Sequence, residues 1–167
     1  MDENKITKER FIAVVEEAKD VMYRLSFGIL RNKADAEDAV AESLLKAWEK
    51  LDSLKKGESL RGWLIRIVIN TSKNILSVRN RTIPCDQDEL AAAVSVQGQP
   101  PGTGVWSHVW EMTEVYRSVL LLYYYSGYSV KEIAESLCVP EGTVKSRLSR
   151  AREELRKILE YDRNAGA

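Results

Sequence analysis

Proline placement constrains this chain more than any other feature. No proline falls within residues 6–81, and residues 105–161 contain only Pro140. The other three, Pro84, Pro100 and Pro101, lie between 82 and 104. Proline inside a helix removes a hydrogen bond and clashes with the preceding turn, at about 3 kcal/mol or more. Two long stretches are therefore open to continuous helix, and TIPCDQDELAAAVSVQGQPPGTG between them reads as a linker, with at most a helical turn around residues 88–93.

Apolar periodicity fills the first stretch. Phe11, Val14, Val15, Ala18, Met22, Leu25 and Ile29 recur at helical spacing, which predicts an amphipathic helix over about residues 7–31. Asn32 and Lys33 turn the chain into DAEDAVAESLLKAWEKL, acidic at its start and basic later, as the helix dipole favours. Ala36, Val40, Leu44, Ala47 and Leu51 form its expected core stripe, with Trp48 also in the core. Lys55 to Glu58 form a loop, and Ser59 caps a third helix running to about Arg79, with Trp63 packed inside.

The second stretch predicts one long helix over residues 105–126, ended by Gly127 in the position where positive φ is cheap. Ser129 and Glu132 form a capping box that opens a short helix to Leu137. A tight turn over residues 138–142 leads to a last helix over about 143–161. A short helix, a turn and a basic helix make the helix-turn-helix pattern. Tyr123, Tyr124 and Tyr125 read mainly as packing residues. The fold class is thus all-α: two small helical domains, 6–81 and 105–161, joined by a flexible linker over 82–104.

Charge and motif content exclude several classes. Lys and Arg number 25 and so do Asp and Glu, so any nucleic-acid surface must be local. The longest apolar run, Val119 to Tyr125, is far short of the roughly 20 residues that span a bilayer. The charged N-terminus lacks the apolar core of a signal peptide, which places the protein in the cytoplasm. Cys85 and Cys138, far apart and without CxxC spacing, are expected to stay unpaired, and with one histidine they cannot complete a structural zinc site. His108 and Glu111 form a weak metal-like pair, better read as surface or capping residues. No nucleophile elbow, Walker loop or strand-linked GxGxxG occurs, so neither enzyme chemistry nor a cofactor, metal or small-molecule substrate is expected.

Local charge is uneven. Residues 61–81 carry five cations, Arg61, Arg66, Lys73, Arg79 and Arg81, and no acid. The last helix carries Lys145, Arg147, Arg150, Arg152, Arg156 and Lys157 against Glu141, Glu153 and Glu154, whereas residues 35–42 are acidic. A single basic face is most often just solvated. Two such faces, one within a helix-turn-helix, point to nucleic acid.

DAEDAVAESLLKAW, LRGWLIRIVINTSKNIL and SGYSVKEIAESLCVPEGTVKSRLSRAREELRKIL, in that order, resemble an extracytoplasmic-function sigma factor over nearly the whole chain. The resemblance implies a bacterial initiation factor that binds core RNA polymerase and directs it to promoter DNA. Its first domain would recognise and melt the minus-10 element, and its second would read the minus-35 element. It assigns Asp35, Asp38 and Glu42 to polymerase contact, with Ala41 standing where the family usually has glutamine. It assigns Lys55, Lys56, Ser59, Arg66, Asn70 and Lys73 to the minus-10 element, Asn70 at the base-contacting position. It assigns Thr143, Lys145, Ser146, Ser149 and Arg150 to the minus-35 element, leaving Arg147 and Arg152 as phosphate contacts or surface pairs. The resemblance also implies an anti-sigma partner and no insertion into the membrane.

A stand-alone helix-turn-helix regulator with a ligand- or partner-sensing N-terminal half is the alternative. It leaves the acidic second helix and the basic third helix without a purpose. A nucleic-acid-processing enzyme lacks the clustered carboxylates, cysteines or histidines its chemistry needs.

Overall fold

The computed structural model describes residues 6–56, 58–82 and 100–166, and its contacts divide the chain into two compact units, Met1–Gln99 and Pro100–Ala167. In the first unit, α1 (Lys8–Leu30), α2 (Lys33–Glu49) and α3 (Leu60–Thr82) pack pairwise, with a 3₁₀ turn at Leu51–Ser53. Polar caps set the boundaries. Thr7 Oγ1 accepts from the Arg10 amide at 3.2 Å, and Asn32 Oδ1 accepts from the Asp35 amide at 2.9 Å. Ser59 Oγ accepts from the Gly62 amide at 3.3 Å, the capping role read from sequence. Arg31, at φ 53°, closes α1 through its amide to the Phe27 carbonyl.

Met22, Phe27, Leu30, Leu64, Ile65 and Val68 form the fully buried centre, each worth about 1.5–3 kcal/mol of burial. Helix α2 meets it with small residues: Ala36, Ala39, Ser43 and Ala47 are buried, while Val40, Leu44 and Leu51 are only half-buried. The expected stripe is thus rotated, because alanine and serine let the α2 backbone approach closely and leave the larger side chains at the seam's edge. Trp48 changes most. It is 48% exposed, edge-on to Phe11 at 5.3 Å, rather than in the core, whereas Trp63 is buried as expected. A residue next to the contact position Ala47 lies about 100° around the helix, which puts Trp48 on the rim. Ser72 Oγ donates to the Val68 carbonyl at 2.7 Å and lies 3.0 Å from Ser26 Oγ, so the buried hydroxyls between α1 and α3 are paired.

The second unit departs from the single helix expected over residues 105–126. The chain forms α4 (Val105–Glu111), breaks at Met112 and Thr113 with ψ 160° and 152°, and resumes as α5 (Glu114–Leu120). Arg117 explains the break. Its buried guanidinium donates to the carbonyls of Trp110 at 3.3 Å and Met112 at 2.9 Å, and it lies 5.8 Å from the Trp110 ring centre. Groups that a continuous helix would have bonded are thereby satisfied by a side chain. Helix α5 then widens into a π turn at Leu121–Tyr125, with the Ser126 amide bonded to the Leu121 carbonyl at 3.0 Å. Gly127, at φ 68°, ends it as expected.

Helix α6 (Val130–Leu137) opens on the anticipated capping box, Ser129 and Glu132 exchanging bonds of 3.1 and 2.8 Å. It ends at Cys138, an exposed residue at φ 55°; Cys85 lies outside the described residues. Helix α7 spans Glu141–Ala165, longer at both ends than the expected 143–161. Pro140 serves as its N-cap, so Glu141 and Gly142 belong to the first turn rather than to the connecting loop. Val109, Leu120, Leu121, Leu122, Ile133, Val144, Leu148 and Ala151 bury between these helices.

Candidate nucleic-acid interface

On α7 the inward spacing of Val144, Leu148 and Ala151 fixes what faces water. Lys145, Ser146, Ser149 and Arg150 are exposed on the N-terminal half, and Thr143 is half-buried. Lys145 and Arg150 have no carboxylate partner among the described residues, and Ser146 Oγ donates to the Thr143 carbonyl at 3.0 Å. The C-terminal half is different. Arg156 bonds both Glu153 oxygens at 2.8 and 2.9 Å, and Lys157 lies 3.7 Å from the same carboxylate. The hydrogen bond from Arg156 and then its charge hold the Glu153 carboxyl below the usual range, and Glu153 raises the Arg156 guanidinium in return. Unpartnered cations therefore sit at the start of α7, where a recognition helix presents side chains to base edges.

Arg152 does not join that face. Its Nε donates to the Tyr124 hydroxyl at 2.6 Å and its guanidinium lies 5.7 and 5.5 Å from the Tyr123 and Tyr124 ring centres, in place of the phosphate contact or surface pair expected. Nor are the tyrosines simply packing residues: Tyr124 is 53% exposed and Tyr125 37%. With Val105, Trp106, Leu155 and Leu159 around it, Tyr124 borders an apolar groove of about 580 Å³. Sequence reasoning missed this groove, whose signal was Leu155 and Leu159, apolar residues one turn apart at the end of a basic helix. His108 Nε2 pairs with Asp162 Oδ2 at 3.2 Å, tying α4 to the last turns of α7.

In the first unit, Arg66, Asn70 and Lys73 follow one another at helical spacing along one face of α3. Asn70 is exposed, and its side chain makes no hydrogen bond among the described residues, so it does not bond its own backbone. Lys73 is exposed too. Arg66 is ion-paired with Glu58, and the other Glu58 oxygen accepts from the Lys55 amide at 3.3 Å. Lys55 and Lys56 point to solvent, while the Ser59 hydroxyl is engaged at the cap of α3. Gly57 lies outside the described residues.

The acidic helix α2 exposes Asp38, Ala41, Glu42, Leu45, Trp48 and Glu49. Asp35 is set apart from this face, bonded to Arg79 at 2.8 Å. Glu42 pairs with Lys46 one turn on, at 2.5 Å. Leu45, 66% exposed, and Trp48 follow Asp38 and Glu42 along the same face, an apolar extension that the sequence analysis did not find. Among the described residues no helix is long and apolar enough to cross a membrane.

Residues 14–82 match the family model described as Sigma-70 region 2, and residues 111–155 match Sigma-70, region 4. The chain is 29% identical to the ECF RNA polymerase sigma factor SigW of Bacillus subtilis over 91% of its own length and 90% of that relative. It is 33% identical to the ECF RNA polymerase sigma-E factor of Salmonella typhimurium over 71% of each. Among solved structures, the sigma factor RpoE from Bartonella quintana, crystallised with the anti-sigma factor NepR, superposes with a TM-score of 0.70 at 26% identity, over 93% of this chain and 97% of that one. CnrH, solved with the cytosolic domain of CnrY, shares the fold with a TM-score of 0.65 at 22% identity, over 93% of this chain and 91% of that one. Two helical units carrying these matched regions define a sigma factor. The chain belongs to the extracytoplasmic-function sigma factor family.

Proposed function

We propose that this chain binds core RNA polymerase in the cytoplasm and directs it to promoters, acting without catalysis, cofactor or small-molecule substrate of its own. The observation that carries this reading is the occurrence of exposed polar and cationic faces in two separate units, on α3 with its loop and on α7. The unit containing residues 6–81 meets the minus-10 element through Lys55, Lys56, Asn70 and Lys73, and meets polymerase through Asp38 and Glu42. The unit containing residues 105–161 reads the minus-35 element through Thr143, Lys145, Ser146, Ser149 and Arg150. Residues 82–104 connect the two, most of them outside the described residues.

An anti-sigma partner is part of the reading, supported by the complex of RpoE with NepR. Reconstitution with core polymerase tests the whole. Promoter-specific transcripts that require this chain are expected, whereas binding as a dimer to a palindromic site with no effect on polymerase favours a stand-alone regulator.

A further inference from the structure

Glu58 is the most heavily engaged residue of the loop before α3. Its side chain is 16% exposed, one carboxylate oxygen pairs with Arg66 on α3, and the other accepts from the Lys55 amide at 3.3 Å. The Glu58 amide in turn donates to the Lys55 carbonyl at 3.1 Å. Main chain and side chain thus close a ring that fixes the loop at both ends, and Arg66 anchors that ring one turn before Asn70 on the same helix. The carboxylate also offsets the repulsion between Lys55 and Lys56, neighbouring cations that the closed turn leaves in solvent. An Arg66 held this way reaches a phosphate only by giving up Glu58.

We propose that Glu58 is a positioning residue: through Arg66 it holds the Lys55–Lys56 turn in the form that receives an unstacked base beside Asn70, and Arg66 serves as its anchor rather than as a DNA contact. The proposal rests on the minus-10 reading given above. Preorganisation of this kind matters because a loop ordered only on binding adds its ordering entropy to the cost of capture.

The test measures affinity of the full chain with core polymerase for fork-junction DNA carrying an unpaired minus-10 strand, either intact or abasic at the captured base. Removing the base is expected to weaken wild-type binding about tenfold, the scale of one lost stacking partner. Glu58→Ala should weaken binding to intact DNA by about as much and then lose little more on the abasic strand, because a loosened loop no longer distinguishes them. Glu58→Gln keeps an oxygen acceptor and should fall between the two, which also covers poor folding of the alanine variant. Loss of the same factor on both DNAs by the Glu58 variants, or no loss, overturns the proposal while Asn70→Ala remains defective and the minus-10 reading stands. A wild-type complex indifferent to the abasic site overturns that reading itself.

Discussion

Arg79, near the end of α3, bonds Asp35 at 2.8 Å with one terminal nitrogen and the Leu30 carbonyl at 3.1 Å with the other. One guanidinium thereby closes the corner between α1 and α2, capping the C-terminus of the first and holding the acidic start of the second. Both side chains are about 30% exposed (29% and 31%), so solvent screening keeps the pair modest. Asp35→Ala and Arg79→Ala are each expected to lower stability by about 1 kcal/mol, with non-additive effects in the double variant. Asp38→Ala and Glu42→Ala should instead reduce polymerase affinity at unchanged thermal stability. Melting curves beside binding titrations separate the two groups, and loss of affinity with Asp35→Ala at full stability returns Asp35 to the interface.

Asn70, exposed and without a side-chain hydrogen bond among the described residues, is placed to meet a partner from outside the chain. Asn70→Ala is expected to leave polymerase binding intact and to reduce open-complex formation. A promoter already mismatched across the minus-10 element should partly rescue it, because unstacking costs a few kcal/mol that the mismatch removes. Permanganate footprinting reads the outcome; reduced polymerase binding would make Asn70 structural.

Arg150 and Arg152 are two positions apart and serve different neighbours. Arg150→Ala is expected to cost about 1–3 kcal/mol at promoters carrying the preferred base and to relax preference at that position. Arg152→Ala, which removes the bond to Tyr124, should lower stability and leave the ranking of promoters unchanged. Transcription from a panel of minus-35 variants distinguishes them. An unaltered ranking with Arg150→Ala removes Arg150 from the reading surface.

Arg117 is only 4% exposed, which makes truncation severe. Arg117→Met leaves the Trp110 and Met112 carbonyls without the guanidinium and is expected to cost about 2–3 kcal/mol. Chemical denaturation should show the loss in the unit spanning Pro100–Ala167 and spare the other.

Periodicity and capping carried most of the helical architecture. Ser59, Gly127 and the Ser129–Glu132 box mark real boundaries because their interactions are local and need only the residues beside them. The break at Met112 and Thr113 was not legible, since it depends on where a buried Arg117 finds acceptors, and intrinsic propensity does not encode that. Trp48 was misplaced for a related reason: periodicity gives a face of the helix but not which neighbours are small enough to be contact points. At the candidate site, spacing located the outward face of α7. It could not show that Arg152, Arg66 and Asp35 are bound within the protein, because their partners come from other elements or from the preceding loop.

The π turn at Leu121–Tyr125 has a consequence beyond the aromatic rings it displays. Such a turn holds about one residue more than the α-helical turns around it, so it acts as a vernier in the chain. Deleting any one of its five residues would restore ordinary winding and turn Gly127, the Ser129 cap and everything after them by about 100° relative to α5. The angular phase between α5 and the helix-turn-helix is therefore set by a count of residues as well as by their chemistry. In this segment, chain length is itself a determinant of which way α7 faces.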